Sequence, residues 1–328
     1  MRRVDRNEDG IAALFVLGIS VVMLGMAGYV IDVGIVRQEK RELQNGADAA
    51  ALAMAQECAL GLCSNLPAKA QPYADLNAND SASTVTGVTV SGATVKVDTR
   101  TRTTGGATSL TTKFAQLVGG AATSTVNATA TATWGAPSGA STIPMVMSYC
   151  QWNFLTGNNT VYPTPNLTIY FKGDQSPSTC TGPSGLNMPG GFGWLQSPAN
   201  NCTTVVTAGN QVASDPGNGN INNNGCNPGD FWDSGLGYKD LYIPIFSAFT
   251  GSGNNGTYTV LGLATFRNFR MKLMNGNGNN VWKTNPAPPN CAAAQRCLYG
   301  SFLKDIVPCP CGPLTGPPLG TLSVKLTA

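Results

Sequence analysis

The sequence of 328 residues contains no histidine, and only 11% of its residues are charged. Without histidine the chain lacks the side chain that titrates near neutral pH, so neither a Ser–His–Asp nor a Cys–His mechanism can be written. The net charge is +3 and no basic tract occurs, which argues against a nucleic acid partner. Low charge with 39 glycines and 21 prolines is typical of strands and loops rather than of a helical bundle.

Cysteine, by contrast, is plentiful: ten cysteines are spread through segments rich in Gly, Asn and Pro. An even number in this setting indicates disulfides formed in an oxidising compartment. The alternative is a zinc site built on thiolates, but the Cys-x-x-Cys spacing of such sites is missing. We therefore expect no metal ion and no cofactor. Proximity along the chain suggests the pairs Cys58–Cys63, Cys202–Cys226 and Cys291–Cys297, and a Cys150–Cys180 pair would close a longer loop. Cys309 and Cys311 stand too close to bond each other without strain.

Residues 11–31 form an uncharged run, IAALFVLGISVVMLGMAGYVI. As a helix this run is ~31 Å long, which matches the ~30 Å hydrocarbon core of a bilayer. A cleaved signal peptide would have a shorter apolar region and a small-residue cut site, and a core helix would have a polar face. A type IV prepilin would carry glutamate at the fifth position after Gly10, where this chain has Phe15. The run therefore predicts a retained transmembrane helix in contact with membrane lipid.

The orientation of this helix follows from the cysteines, because basic residues stand on both sides of it. All ten cysteines come after the run, which predicts a cytoplasmic tail at residues 1–10 and an extracytoplasmic remainder in a single-pass membrane protein. Asp32 at the end of the run has two interpretations. It is either a functional charge at membrane depth or, more simply, a boundary residue with its carboxylate among the lipid headgroups.

Beyond the membrane the helical pattern continues, which predicts an amphipathic extension over residues 32–63. One face of it carries an apolar stripe, defined as Val36, Leu43, Ala47, Ala50, Met54 and Cys58. No proline follows until Pro67, so a continuous helix from about Ile11 to Leu60 would run ~75 Å. Such a stripe has to pack either on the protein's own sheet or on a neighbouring subunit.

Residues 64–134 are expected to form a small α+β module. Alternation predicts two strands at about 84–90 and 93–103, joined by a turn at Gly92, and a third strand over 123–134. Between them Leu110, Phe114, Leu117 and Val118 recur at helical spacing and predict a helix.

The remaining segments are assigned from composition. Residues 135–142, with the sequence GAPSGAST, are predicted to be a linker. Residues 143–328 are predicted to form a β-rich, disulfide-stapled extracytoplasmic module, and the fold class is therefore α+β. Its low-complexity loops are interpreted as solvated surface.

The first 55 residues resemble the N-terminal segment of TadG-like proteins of Flp/Tad pilus systems. The segments that carry the resemblance are GIAALFVL (10–17), YVIDVGIV (29–36) and KRELQNGADAAALA (40–53), without the prepilin glutamate. Less specifically, GGFGWL (190–195), YTVLGLATF (258–266) and RCLYGSF (296–302) are similar to the actinobacterial type. The resemblance implies a non-enzymatic membrane protein whose outward part assists pilus assembly through other pilus-assembly proteins, with no small-molecule substrate.

Some TadG-like members instead carry a von Willebrand A-type domain, whose metal site begins Asp-x-Ser-x-Ser. Asp174, Ser176 and Ser178 fit that pattern, but Pro177 lies inside it and Cys180 follows directly. The match is interpreted as chance, so the chain is expected to lack that domain.

Two other function classes stand beside a pilus-assembly protein. A surface adhesion or carbohydrate-binding module could use the aromatic residues Trp152, Trp194, Trp232, Tyr238 and Trp282. A hydrolase could use carboxylates from the set Asp174, Asp215, Asp230, Asp233 and Asp240. In the second set only Asp230 and Asp233 are close in sequence, in a Gly-rich turn where aspartates commonly stabilise loops.

Overall fold

A computed structural model describes residues 6–171, 180–183, 185, 187–188, 191–197, 202–215, 225–252, 255–274, 281–307 and 312–327. The Asp-x-Ser-x-Ser match at 174–178, the Cys309/Cys311 pair and most of the low-complexity loops lie outside these residues. The chain divides into two compact units. The first unit is Met1–Thr133 with Lys325–Ala328, and the second unit is Trp134–Val324.

The first unit contains the long N-terminal helix and a small sheet. Its elements are α1 (Arg6–Ala59), α2 (Leu66–Asp75), β1 (Ser83–Ser91), β2 (Thr94–Thr101), β3 (Leu110–Thr111), a 3-10 helix (Ala115–Val118), β4 (Thr123–Ser124) and β5 (Asn127–Gly135), which runs on past the boundary of the unit. The prediction of one continuous helix from the membrane run into the extension is confirmed by α1.

The sheet of the first unit is built by antiparallel pairing of β1 with β2 and of β2 with β5. The turn expected at Gly92 joins β1 to β2, and Gly92 has the left-handed φ of 56° that such tight hairpins need. Alternate residues of β2 and β5 are buried on the face toward α1, among them Val95, Val97 and Ala130. Residues 325–327 also belong to this unit, where the Thr327 hydroxyl donates a hydrogen bond to the Thr131 carbonyl.

Two local predictions for the first unit are wrong. The apolar spacing after residue 109 does not make a regular helix, because Leu110 and Thr111 pair as a strand and only Ala115–Val118 forms a 3-10 turn. A helix that the sequence analysis missed, α2, follows the end of α1. Pro67 stands in its first turn, where a missing N–H is harmless, and Leu66 begins a buried face spaced four residues apart.

The second unit is rich in strands. Its elements are β6 (Gly139–Thr142), β7 (Met145–Ser148), α3 (Tyr149–Leu155), β8 (Leu167–Tyr170), β9 (Cys180–Thr181), β10 (Asn187–Met188), β11 (Phe192–Leu195), β12 (Thr204–Thr207), β13 (Gln211–Asp215), α4 (Pro228–Phe231), β14 (Lys239–Thr250), β15 (Thr257–Met274), β16 (Val281–Lys283), β17 (Cys297–Leu303), β18 (Asp305–Ile306) and β19 (Thr321–Thr327). The predicted α+β class, with a β-rich disulfide-bonded part after a long helix, is confirmed.

The main sheet of the second unit runs in the order β13-β11-β7-β14-β15-β17-β8, and β16 pairs with β15. Because β13 also pairs with β15, the five strands β13, β11, β7, β14 and β15 form a closed ring. All of these pairings are antiparallel except that of β7 with β14. Large aromatic side chains fill the core, including the fully buried Phe192, Phe231, Phe266 and Phe302.

The segment 135–142, predicted from its composition to be a linker, contains regular structure. β6 pairs antiparallel with β12, and Ala136 forms a β-bridge with Gly316. The small residues that suggested flexibility serve close packing, since a Cβ on Gly139 would lie 2.6 Å from the Val206 carbonyl oxygen. Glycine at such a position allows one backbone to approach another.

Four disulfides link described cysteines. They join Cys58 to Cys63, Cys150 to Cys180, Cys202 to Cys226 and Cys291 to Cys297. The first of these holds the turn that ends α1. The other three lie in the second unit, where Cys202 and Cys226 also contribute to the aromatic core.

Candidate interaction site on the N-terminal helix

The first half of α1 stands free of the rest of the first unit. Apart from the half-buried Gly25, every residue from 12 to 27 is exposed, although nearly all of them are apolar. Among the described residues, α1 is the one helix long and apolar enough to cross a bilayer. An apolar surface of this length without a protein partner is typical of a segment that lies in lipid.

Asp32 is the first acidic residue after this bare segment, and it is 4% exposed. Its carboxylate accepts three backbone hydrogen bonds, from the N–H of Lys113 at 3.2 Å, of Phe114 at 2.8 Å and of Ala115 at 2.6 Å. These N–H groups stand at the start of the 3-10 helix, where donors lack partners within the helix. We call this arrangement the Asp32 clamp.

The Asp32 clamp is what the sequence analysis missed. The carboxylate accepts hydrogen bonds from backbone more than 80 residues away. No local sequence pattern predicts this contact. The only signal was a charge at the end of an apolar run, which marks a candidate functional position without naming its partner.

The apolar stripe of α1 packs on the protein's own first unit. Leu43, Ala47, Ala50 and Met54 are 0–2% exposed, and Leu43 contacts Val126 and Ala128 of the sheet segment. Of the two alternatives for the stripe, the structure shows packing on the protein's own sheet. The many alanines let helix and strands approach closely, since both sides of the contact are small.

Polar side chains along α1 tie the helix to the edge of β5. Lys40 donates to the Asn127 carbonyl at 2.6 Å, and Gln44 donates to the Thr129 carbonyl at 3.0 Å. These bonds and the buried stripe hold the second half of α1 against the sheet of the first unit. The stripe is therefore not available to another subunit, which removes one of the contact surfaces that the sequence suggested.

The aspartates considered for hydrolysis have structural partners. Asp230 caps α4 by accepting from the Asn227 N–H, and Asp233 accepts from the N–H of Gly235. Asp240 binds Arg267 through two hydrogen bonds of 2.7 and 2.8 Å, which raise the pKa of the Arg267 guanidinium. Asp230 and Asp240 line a polar cavity of 440 Å³, but the bonds just described engage their carboxylates.

The remaining candidate aspartates are Asp215 and Asp174. Asp215 lies at the end of β13, and Asp174 lies outside the described residues. Within the described part of the chain, no group of three or more Asp, Glu, His or Cys side chains could hold a metal ion.

The aromatic residues considered for sugar binding are mostly core residues. Trp152 and Trp194 are buried, and Trp232 and Trp282 pack partly buried against the same core. Tyr238 is half-buried, with the Arg267 guanidinium 4.4 Å from its ring centroid. A sugar platform needs an open aromatic face. These five residues do not provide one.

Comparison with known proteins agrees with the position of the bare helix and the stripe. Residues 10–57 match the family model described as putative Flp pilus-assembly TadE/G-like. No curated protein and no solved structure matches the chain. The matched residues begin just before the apolar run and end near the last turn of α1, so the similarity covers the anchor and its extension. Through this segment the chain is similar to the TadE/G-like proteins of Flp pilus assembly.

Proposed function

We propose that this protein is a membrane-anchored, non-enzymatic component of Flp/Tad pilus assembly that acts through contacts with other pilus-assembly proteins. The observation that supports the proposal is the extent of the family match along α1. The TadE/G-like match at 10–57 ends with α1, and α1 is divided into a bare apolar half and a half packed on a sheet. A helix of this kind holds a folded unit at a set distance from the membrane.

The orientation proposed is a cytoplasmic N-terminus with both units outside. Its support is the four disulfides, because such bonds persist in an oxidising compartment. We further propose that the chain is of the actinobacterial TadG-like type without a von Willebrand A domain. That finer assignment rests on the sequence, where Pro177 interrupts the only metal-site pattern.

The contact surface for pilus proteins is proposed to lie away from the stripe, because the stripe is buried within the first unit. Two surfaces remain. One is the bare half of α1, and the other is the solvent-facing side of the units. Exposed apolar side chains are present there, with Leu76 at 82% and Val205 at 75% exposed.

The proposal is tested in the native bacterium by deletion and complementation. We expect deletion to abolish pili or change their number, counted by electron microscopy, and the wild-type chain to restore them. A photo-crosslinking residue at Leu76 or Val205 is expected to capture a pilus component. The matched control carries the residue at Met54, which is 1% exposed. Normal pili in the deletion strain, with no pilus protein captured, would overturn the proposal.

The disulfide pattern gives a second test, which also reports orientation. Membranes alkylated without reductant and digested should yield four linked peptide pairs, matching Cys58–Cys63, Cys150–Cys180, Cys202–Cys226 and Cys291–Cys297. Mass spectrometry identifies the pairs, and a reduced aliquot is the control. Alkylated thiols at these eight positions would contradict both the bonds and the extracytoplasmic location.

A further inference from the structure

The Phe114 side chain rests directly on the backbone of α1. A Cβ placed on Gly28 would lie 2.5 Å from two atoms of the Phe114 ring, so the contact requires glycine at this position. Gly28 is also the first buried residue along the helix after the bare segment. The ring is nevertheless 37% exposed, and its outer side continues the apolar surface of the helix.

The Asp32 clamp fixes the position of the Phe114 contact along the axis of α1. Asp32 follows Gly28 by one helical turn, ~6 Å along the axis. Its carboxylate binds the N–H groups of residues 113–115 and so positions the Phe114 side chain that extends from them. Hydrogen bonds to an ionised acceptor are stronger than neutral ones, which makes three of them an effective restraint.

Helix length places this position inside the hydrocarbon layer of a membrane. Three of residues 6–9 (RNED) are charged, so the apolar run can be embedded only from about residue 11. From residue 11 to residue 27 the helix rises ~26 Å, short of the ~30 Å core by most of one turn. To span the rest of the hydrocarbon core, α1 has to be embedded to a point beyond Gly28. Any tilt of the helix takes the Phe114 contact deeper.

An open apolar groove lies between Phe114 and the helix. Its volume is 1080 Å³, and it is lined by Phe114 and by α1 residues between Val21 and Val30. The exposed cation Lys113 adjoins Phe114 in the chain, and the exposed Arg37 lines a separate pocket beside Asp32. Apolar side chains, then aromatic rings, then cations is the order found at a membrane–water boundary.

We propose that the loop 112–115 inserts into the extracytoplasmic leaflet and that the groove holds an acyl chain of a phospholipid, with its phosphate facing Lys113 and Arg37. The inference rests on the membrane anchoring stated under the proposed function. It adds a second, non-helical contact with lipid, which sets the depth and rotation of α1 in the membrane.

The test uses the full chain in native membranes with benzoyl-phenylalanine introduced separately at Phe114, Leu24 and Phe154. Phe154 is 78% exposed and lies in the second unit, so it serves as the control outside lipid. Irradiation followed by mass spectrometry should find phospholipid adducts at Leu24 and Phe114 and none at Phe154.

The outcomes separate the two proposals. Adducts at Leu24 without adducts at Phe114 overturn the lipid contact of the loop and leave the anchor intact. No lipid adduct at Leu24 overturns the anchoring itself. A protein adduct at Phe114 in place of lipid shows that another subunit occupies the groove, and it also overturns the inference.

An Asp32→Ala variant tests the positioning role of the carboxylate. We expect the amides of 113–115 to exchange with deuterium about tenfold faster or more, because three hydrogen bonds are lost. Lipid adducts at Phe114 should fall while those at Leu24 stay unchanged. The matched control is Asp48→Ala, which removes a partly buried bond from Gln44 on the same helix. Unchanged exchange at 113–115 would overturn the role of Asp32.

Discussion

Replacing Val21 and Leu24 together with arginine is expected to remove the protein from the membrane fraction. Both side chains are more than 60% exposed on the bare half of α1, so the change does not disturb packing in the first unit. An arginine at the centre of a membrane helix costs about 2.5–3.5 kcal/mol for insertion. Two together should lower insertion by about four to five orders of magnitude.

Carbonate-washed membranes, probed by immunoblot, measure this effect. The control adds the same charge elsewhere, with arginine at Leu76 and Leu236, which are exposed residues away from the span. That control should stay with the membrane as the wild-type chain does. Retention of the Val21/Leu24 variant in washed membranes at the wild-type level would mean that residues 11–31 are not the anchor.

Replacing Trp194 with alanine is expected to destabilise the second unit by about 3–5 kcal/mol, a large part of the free energy of unfolding of a domain. Trp194 is 3% exposed. Its ring packs edge-on against Phe192 and Phe231, with centroids 5.8 and 6.2 Å away, and stacks on Phe171. Removing it empties the middle of an aromatic cluster that cannot collapse fully around the loss.

Chemical denaturation or pulse proteolysis of the full chain measures the change. The matched control is Phe154→Ala in the same unit, which should alter the free energy of unfolding by no more than about 0.5 kcal/mol because the ring is exposed. A Trp194→Ala chain with wild-type stability but altered glycan binding would favour the carbohydrate-binding alternative over a structural role for this aromatic cluster.

Local patterns in the sequence predicted the features that depend on near neighbours. The uncharged run and the stripe spaced by three, four and seven residues predicted α1, because helix periodicity is a property of one segment. Alternation and a glycine predicted the β1–β2 hairpin around Gly92 in the same way. Three of the disulfide pairs were suggested by proximity in sequence for the same reason.

Patterns failed where a distant segment decided the local structure. The residues around Phe114 have helical spacing, but their backbone N–H groups bind Asp32 on α1 instead of forming a regular helix. Glycine and alanine at 135–142 suggested a linker. They are small because another backbone lies against them, which only the pairing of β6 with β12 reveals.

The sequence by itself determined that one long apolar helix precedes an α+β chain with many cysteines and no histidine. Composition and the periodicity of apolar residues are properties of a segment alone and do not depend on what packs against it. Only the tertiary structure decided where that helix is bare, that its stripe is covered by its own sheet, and that Asp32 holds a loop against it. These contacts join residues far apart in the chain. Their geometry depends on how the strands bring those residues together, and the sequence of a short segment does not reveal it.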